Sequence, residues 1–432
     1  MKQTAQRIFR ETLAAIDIGA ALTRKLARSD SRIQAGGGID LRDYREIVAI
    51  AFGKASFAMA DALSAILAPE FRANGIVVTP APPPRELPGW AQFVGGHPLP
   101  NAQSLAAGRA ILDRLSRCDE RTLVFFLISG GGSALVEQPL DSNVTLEDFQ
   151  QLNSALVTCG APIEEINVVR KHLSATKGGR LAAAAPRSMK LTFAISDVPQ
   201  GEESALASGP TLPDPTTITD AERIVNKYGL LAKFPASIRG QFERRLLRET
   251  PKEGDAAFER AHFRILLGEH DLTHAAHRAC EAEGYVCLCD IAADSWPFEK
   301  AADHLIRVLE AHKKANPKRR AAVIADGEVS SPVTGDGIGG RNSAFVLACV
   351  PKIVGKKITV LSAGTDGIDG NSPAAGAVAD GESMARALAA GLDPKDFLRR
   401  SDAYAFFAKL GDAIVTGPTG NNLRDLRILL AE

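Results

Sequence analysis

Apolar positions along the first half of the chain fall into short unbroken runs separated by amphipathic stretches. "IVAIAFG" (47–53), "GIVVT" (75–79), "TLVFFLIS" (122–129) and "LTFAIS" (191–196) have the length and the β-branched and aromatic content of buried strands. Between them, apolar residues three and four apart predict helices at the amino terminus, after residue 54, over 101–116 and across 146–184. Strand alternating with helix implies an α/β fold with a mostly parallel sheet covered on both faces, because each parallel pairing needs a crossover that is usually helical. The pattern resumes in "FRILLG" (263–268), "YVCLC" (285–289), "AAVIA" (321–325) and "KITVLSAG" (357–364), which read as a second α/β series. "RETPKEGDAAFER" (248–260) between the two series has a linker's composition. It is expected to mark the boundary between an N-terminal domain over 1–250 and a smaller one over 260–432, and to lie near the hinge of a two-domain closure.

Composition narrows the partners. With 51 basic and 51 acidic residues among 432, the chain has no net charge and gives no support to nucleic-acid binding or to attachment at a membrane surface. Charges interrupt the amino-terminal apolar residues, so "MKQTAQRIFRETLAAIDIGA" lacks the core of a secretory signal. No apolar run approaches a membrane span. Six cysteines without CxxC spacing read as reduced core thiols, and a cytoplasmic location is expected.

Candidate chemistry gathers at strand ends. Lys54 follows the glycine that ends the first strand, at a strand-to-helix junction of the kind where open α/β sheets bind ligands. "SGGGS" places Ser129, Gly130, Gly131, Gly132 and Ser133 after "LVFFLI". Three glycines leave successive backbone N–H groups unobstructed, able to curl round an anion at a helix start. Asp197 and Asp366 follow apolar strands directly and are candidates to hold Mg²⁺ or accept a proton. Arg341, between Gly340 and Asn342, offers a planar fork for phosphate or carboxylate. Together these resemble the parts needed for phosphoryl transfer, in which positioning and charge neutralisation do most of the catalysis.

Two other motifs are weaker. "GDGIGG" (335–340) matches the dinucleotide fingerprint, yet no apolar strand leads into it and no acidic residue follows at the required distance. His270, His274 and His277 share one helix face with zinc-like spacing but lack a partner motif such as H-E-x-x-H.

The motifs "GKASFAMA", "GGHPLPN", "SGGGSAL", "NVVRKHLSATKGGRLA", "ISDVP", "ASGPTLPDPTT", "GGRN", "GTDGIDG", "AAGAVADG" and "GPTGNNLRDL" run in order from about residue 53 to 426. In them the chain resembles the glycerate kinases that carry a MOFRL domain in their carboxyl half. The resemblance implies a Rossmann-like three-layer N-terminal domain, a smaller MOFRL-like α/β domain, and ATP- and Mg²⁺-dependent phosphorylation of D-glycerate to 2-phosphoglycerate in a cleft between domains. It places catalytic roles on Lys54, Asp197 and Arg341. Glu328, Gly340, Asn342 and Thr365 are expected to bind the nucleotide, while Ser129–Ser133 hold either its phosphates or the carboxylate of glycerate. A homodimer is left open as the assembly. Three positions depart from the family pattern: Gln200, where glycine is expected after "DVP", and Ser343 and Ala344, where Gln-Glu is expected after "GGRN". The alternatives are a hydroxypyruvate reductase using NAD(P)H and a non-catalytic sensor of a sugar acid.

Overall fold

The structure, a computed structural model, describes residues 1–198, 201–421 and 423–432, and only the backbone of Glu269. Gln200 therefore lies outside the described residues. The chain forms two compact units, one of Ile18–Leu267 and one of Met1–Asp17 with Gly268–Glu432. The first two helices divide accordingly. α1 (Lys2–Ala15) packs in the second unit, while α2 (Ile18–Leu26) packs in the first.

In the first unit six strands form one sheet: β1 (Glu46–Phe52), β2 (Ala73–Thr79), β3 (Trp90–Val94), β4 (Thr122–Ser129), β5 (Met189–Ile195) and β6 (Ala261–Leu267). All pairings are parallel, in the order β3-β2-β1-β4-β5-β6. This is the doubly wound dinucleotide-fold order, whose switch point falls between β1 and β4. The two strands flanking that point are the most apolar, β4 being buried along its whole length, as central strands covered on both faces should be. Helices α3 (Ser56–Leu67) and α4 (Ala102–Leu115) follow β1 and β3. α4 begins where it does because the Asn101 side chain accepts from Ser104 N at 2.8 Å while Ser104 Oγ accepts from Asn101 N, a reciprocal cap. Beyond β4 come the single turn α5 (Gly132–Leu135), then α6 (Leu146–Val157), α7 (Ile163–Leu173), α8 (Ile218–Lys227) and α9 (Ala236–Glu243). Those last four share a separate apolar core that includes Phe149, Leu152, Val169, Ile224 and Phe242.

The expected boundary moves. β6 pairs with β5, so "FRILLG" closes the first sheet instead of opening the second series. An apolar run of this length reads the same whichever sheet it joins, and its partner is chosen by the crossover before it. The 248–260 segment belongs to the first unit: Pro251 O accepts from Asp214 N at 3.0 Å, Lys252 Nζ donates to Asp214 O at 3.1 Å, and Ala257 is buried. It is tied down where a hinge was expected, and the chain passes between units at 17–18 and 267–268.

The second unit holds a mixed sheet of β7 (Tyr285–Cys289), β8 (Arg320–Ala325), β9 (Ile358–Gly364), β10 (Gly376–Asp380), β11 (Ala413–Ile414) and β12 (Asp425–Ala431), in the order β7-β8-β12-β9-β10-β11. Only β7 and β8 pair in parallel. β12 is the chain's last strand, yet it sits between β8 and β9, antiparallel to both. Helices α10 (Glu269–Ala282), α11 (Phe298–Ala315) and α12 (Arg341–Cys349), with α1 and three short helices between Ser383 and Leu410, belong to this α/β unit. Among the described residues no helix is long and apolar enough to cross a membrane.

Candidate functional site

Parallel pairing puts the carboxyl ends of β1, β4 and β5 at one edge. Phe52 stands opposite Ile128, and Ser129 opposite Ile195, so Lys54, Gly130 and Asp197 each lie two residues beyond matched positions. The β1 and β4 loops are stitched together: Lys54 N donates to Gly130 O at 3.0 Å, and Ala55 N to Ser129 Oγ at 2.9 Å. Gly53 has φ +121°, and a Cβ there would stand 2.2 Å from Ser129 Oγ. Only glycine lets the two loops meet this closely. Gly131 also has positive φ, +80°, and its absent Cβ would lie 3.2 Å from the His97 ring. The twelve-residue α3 starts beside Lys54 with no side-chain cap, leaving its positive dipole end at this edge.

Next to the glycines is a cavity of about 150 Å³ lined by His97, Gly131, Ser133, Glu137, Asn153, Arg170 and Lys177 among others. Lys177 is enclosed, and its Nζ donates to Ser133 O and to Glu137 Oε2, both at 2.7 Å. Burial pulls its pKa below the ordinary lysine value, with Glu137 opposing that shift. Glu137 also accepts from Gln138 N and Ser174 Oγ. Burial likewise lowers the Arg170 pKa, and its Nε is enclosed without a hydrogen-bond partner. Ser133 Oγ stands 2.9 Å from Ser208 Oγ, and Ala207 and Ser208 hold φ of +49° and +62°. Left-handed backbone at two consecutive non-glycine residues costs about 1 kcal/mol or more each and clusters at binding sites. Neither Arg170 nor Lys177 was singled out from the sequence, although both lie in the motif "NVVRKHLSATKGGRLA".

The second unit gathers the other candidates at the ends of β8 and β9 and the start of β12. Arg341 Nε binds Asp425 Oδ2 at 2.5 Å and Nη1 binds Glu328 Oε2 at 2.6 Å. Burial works against its charge, but the two carboxylates outweigh it and raise its pKa. Burial also opposes the Asp425 charge, yet Arg341 holds that carboxyl below its usual value. Beyond it, the fully buried Arg427 donates to the carbonyls of Asp326 and Gly327, both at 2.9 Å. Asp369 caps α12, accepting from Asn342 N and Ser343 N at 2.9 Å and from Ser343 Oγ at 2.6 Å. Burial nevertheless raises its pKa. Ser343 thus has a capping role of its own where the family pattern has a longer amide, and Ala344 is buried beside it. Asn342 and Thr365 are each 1% exposed. The first accepts from Ser362 Oγ and the second donates to Arg424 O, so neither presents its side chain to a nucleotide as expected. Gly340 lines a cavity of about 520 Å³ with Gly339, Pro332 and Leu398, and Asp366 is half-buried with Oδ1 accepting from Ile368 N.

"GDGIGG" is a packing motif here. A Cβ at Gly335 would come 2.5 Å from Arg400 O, and one at Gly340 2.3 Å from Asp369 Oδ1, so protein atoms occupy the space a pyrophosphate would need. His277, the last of the three helix histidines, lies 3.3 Å from Glu281 and 3.5 Å from Cys289. Among the described residues no group of three or more His, Cys, Asp or Glu is arranged to hold a metal ion.

Fold and site together define a doubly wound α/β protein with a glycine-rich loop at its switch point, joined to a second α/β unit. The model of a domain of unknown function (DUF4147) matches residues 4–243, and that of the MOFRL family matches 321–425. The chain belongs to the glycerate kinases of the MOFRL family. It is 34% identical to the D-glycerate 2-kinase of Thermotoga maritima, over 88% of this chain and 90% of that protein. A protein of Agrobacterium vitis with the provisional name hydroxypyruvate reductase is 37% identical, over 94% and 92% of the two chains. The crystal structure of glycerate kinase from Thermotoga maritima superposes with a TM-score of 0.84 at 32% identity, covering 100% of this chain and 99% of that one.

Proposed function

We propose that the protein is an ATP-dependent glycerate 2-kinase acting on D-glycerate. The observation that carries this reading is the gathering of a cation, bare backbone donors and a carboxylate at one sheet edge, in Lys54, Gly130–Gly132 and Asp197. These are the parts phosphoryl transfer requires. The similarity to proteins named glycerate 2-kinase supports the choice of substrate.

In the proposed step the C2 oxygen of glycerate bonds to the γ-phosphorus while the bond from that phosphorus to the β,γ-bridging oxygen breaks, and ADP leaves. Asp197 takes the hydroxyl proton. Lys54 offsets charge on the transferring group. Within the second unit, Arg341 keeps one arm of its fork on Glu328, whose carboxylate is 40% exposed and more readily displaced than the buried Asp425. Mg²⁺ bound with the nucleotide would neutralise phosphate charge. The donor chemistry of the Asp197 carboxylate fits it, and within the second unit that of Asp366 does too, because Mg²⁺ takes one or two carboxylates and completes its octahedron with water and phosphate oxygens. A cytoplasmic location belongs to the same reading, since ATP is drawn from that compartment.

ADP release that depends on D-glycerate tests the proposal. NADH oxidation with hydroxypyruvate in the absence of ATP would favour the reductase. The "GDGIGG" glycines, closed by Arg400 and Asp369, give that reading no site.

A further inference from the structure

Arg170 is the charged side chain lining the 150 Å³ cavity that makes no hydrogen bond or ion pair with any described residue, the Glu137 charge only partly opposing the effect of burial on it. His97 aside, the cavity's ionisable groups are Glu137, Lys177 and Arg170. Glu137 and Lys177 are both buried and bind each other, and both carboxylate oxygens of Glu137 have donors. That pair cancels. Arg170 forms no hydrogen bond or ion pair with any described residue, although its Nε is enclosed and burial weakens its hold on its proton. A guanidinium kept half-buried without a carboxylate costs folding energy, so its retention calls for an anion supplied from outside.

We infer that Arg170 anchors the carboxylate of the sugar-acid substrate in this cavity, leaving the glycines and Lys54 to the phosphoryl group. The inference rests on the kinase reading above and assigns the carboxylate half of that site. Two observations choose a carboxylate over a nucleotide phosphate. The uncompensated charge is that of one cation, which a single carboxylate matches and a doubly charged phosphate exceeds. The cavity, about 150 Å³, has room for a three-carbon acid but not for a whole nucleotide. The planar fork then offers that carboxylate two parallel bonds, as it would a phosphate. Gly131 and Ser133 line the same cavity, so an acid held by Arg170 lies against the glycine loop.

The test compares wild type with Arg170→Met and Arg170→Lys, measuring D-glycerate binding by calorimetry without nucleotide and the two KM values in a coupled ADP assay. Removing one partner of a partly buried charge pair should weaken D-glycerate binding by about 10²-fold in Arg170→Met. Arg170→Lys, which keeps the charge and loses the fork, should weaken it by about 10-fold. KM for D-glycerate should rise in parallel, with KM for ATP within about threefold of wild type. If either folded variant keeps its D-glycerate affinity and KM within about threefold, or shifts the ATP KM instead, the anchor is wrong while the kinase stands. Arg170-dependent binding without ADP formation in wild type would sink the kinase and leave the anchor. Wild type that neither binds nor phosphorylates D-glycerate would overturn both.

Discussion

Arg170 in the first unit and Arg341 in the second are both partly buried arginines beside glycine-rich loops, and they differ in how their charge is met. Arg341 is gripped by Asp425 and Glu328, with Asn342, Asp369 and Arg427 packed into the same network. Arg170 forms no hydrogen bond or ion pair with any described residue and faces a cavity. A satisfied cation is first a structural element, and any ligand it binds must compete with its carboxylates. An unsatisfied one is a structural liability until a ligand arrives. The contrast predicts opposite consequences for removing the two side chains.

The largest effect is expected at Arg341. Arg341→Ala strands the 2%-exposed Asp425 without its cation, and breaking such a pair should lower the unfolding free energy by about 3 kcal/mol. This is the low end of the usual range, since the Arg341 side chain keeps 36% of its surface in water. Urea denaturation measures it, and Arg341→Ala/Asp425→Asn should recover part of the loss. A single-variant loss under about 1 kcal/mol would erase the distinction drawn here.

Lys54→Ala should cut turnover by about 10² or more, the scale seen when one transition-state donor is lost, without moving the melting temperature. Turnover within threefold of wild type would remove Lys54 from the mechanism. At Arg170 the stability change should be small and of the opposite sign to that at Arg341. Arg170→Met should leave the unfolding free energy within about 1 kcal/mol of wild type, or raise it, because no protein bond is lost and a buried charge goes. Destabilisation as large as that of Arg341→Ala would show a partner for Arg170 within the fold.

Lys190 offers the gentlest test, as a cation answered by carbonyls alone. Its Nζ donates to Ala185 O at 2.8 Å and Ser188 O at 2.9 Å, and burial lowers its pKa from 10.5 to about 8. The folded state therefore favours the neutral amine. The penalty for burying the charge is fully present below about pH 8 and fades as pH rises from there towards 10.5. Wild type should gain stability relative to Lys190→Met across that window, measured by urea denaturation at several pH values. A flat difference would mean the amine is better solvated than its burial implies.

Sequence pattern was enough for β1, β2, β4 and β5 of the first sheet, and for the glycines and Lys54 at their ends, because an apolar run closed by glycine carries both signals locally, whereas the short β3, after a proline-rich stretch, was not read. It failed where partners are distant. β6 has the same appearance whichever sheet it joins, and α1 shows an apolar stripe without showing that its partner elements lie more than 250 residues away. β12 was not anticipated as a central strand, since antiparallel insertion of a carboxyl-terminal segment leaves no local mark. Asn342 and Thr365 looked like ligands because they follow glycine and strand, a setting that serves helix capping and loop closure equally well. A signal for Arg170 did exist. Between Glu165 and Asp197 there is no acidic residue, while Arg170, Lys171, His172, Lys177, Arg180, Arg187 and Lys190 all fall in that interval. Such an excess invites an anion, though only the fold shows which of these bases lacks a partner.

The central claim, phosphoryl transfer to the C2 hydroxyl of D-glycerate, is tested most directly by ³¹P NMR of the product formed from D-glycerate and ATP. A phosphorus coupled to the single C2 proton, seen as a doublet, is the predicted result. A triplet from the two C3 protons would contradict the regiochemistry, and ATP left unconsumed in the presence of D-glycerate and Mg²⁺ would contradict the kinase itself.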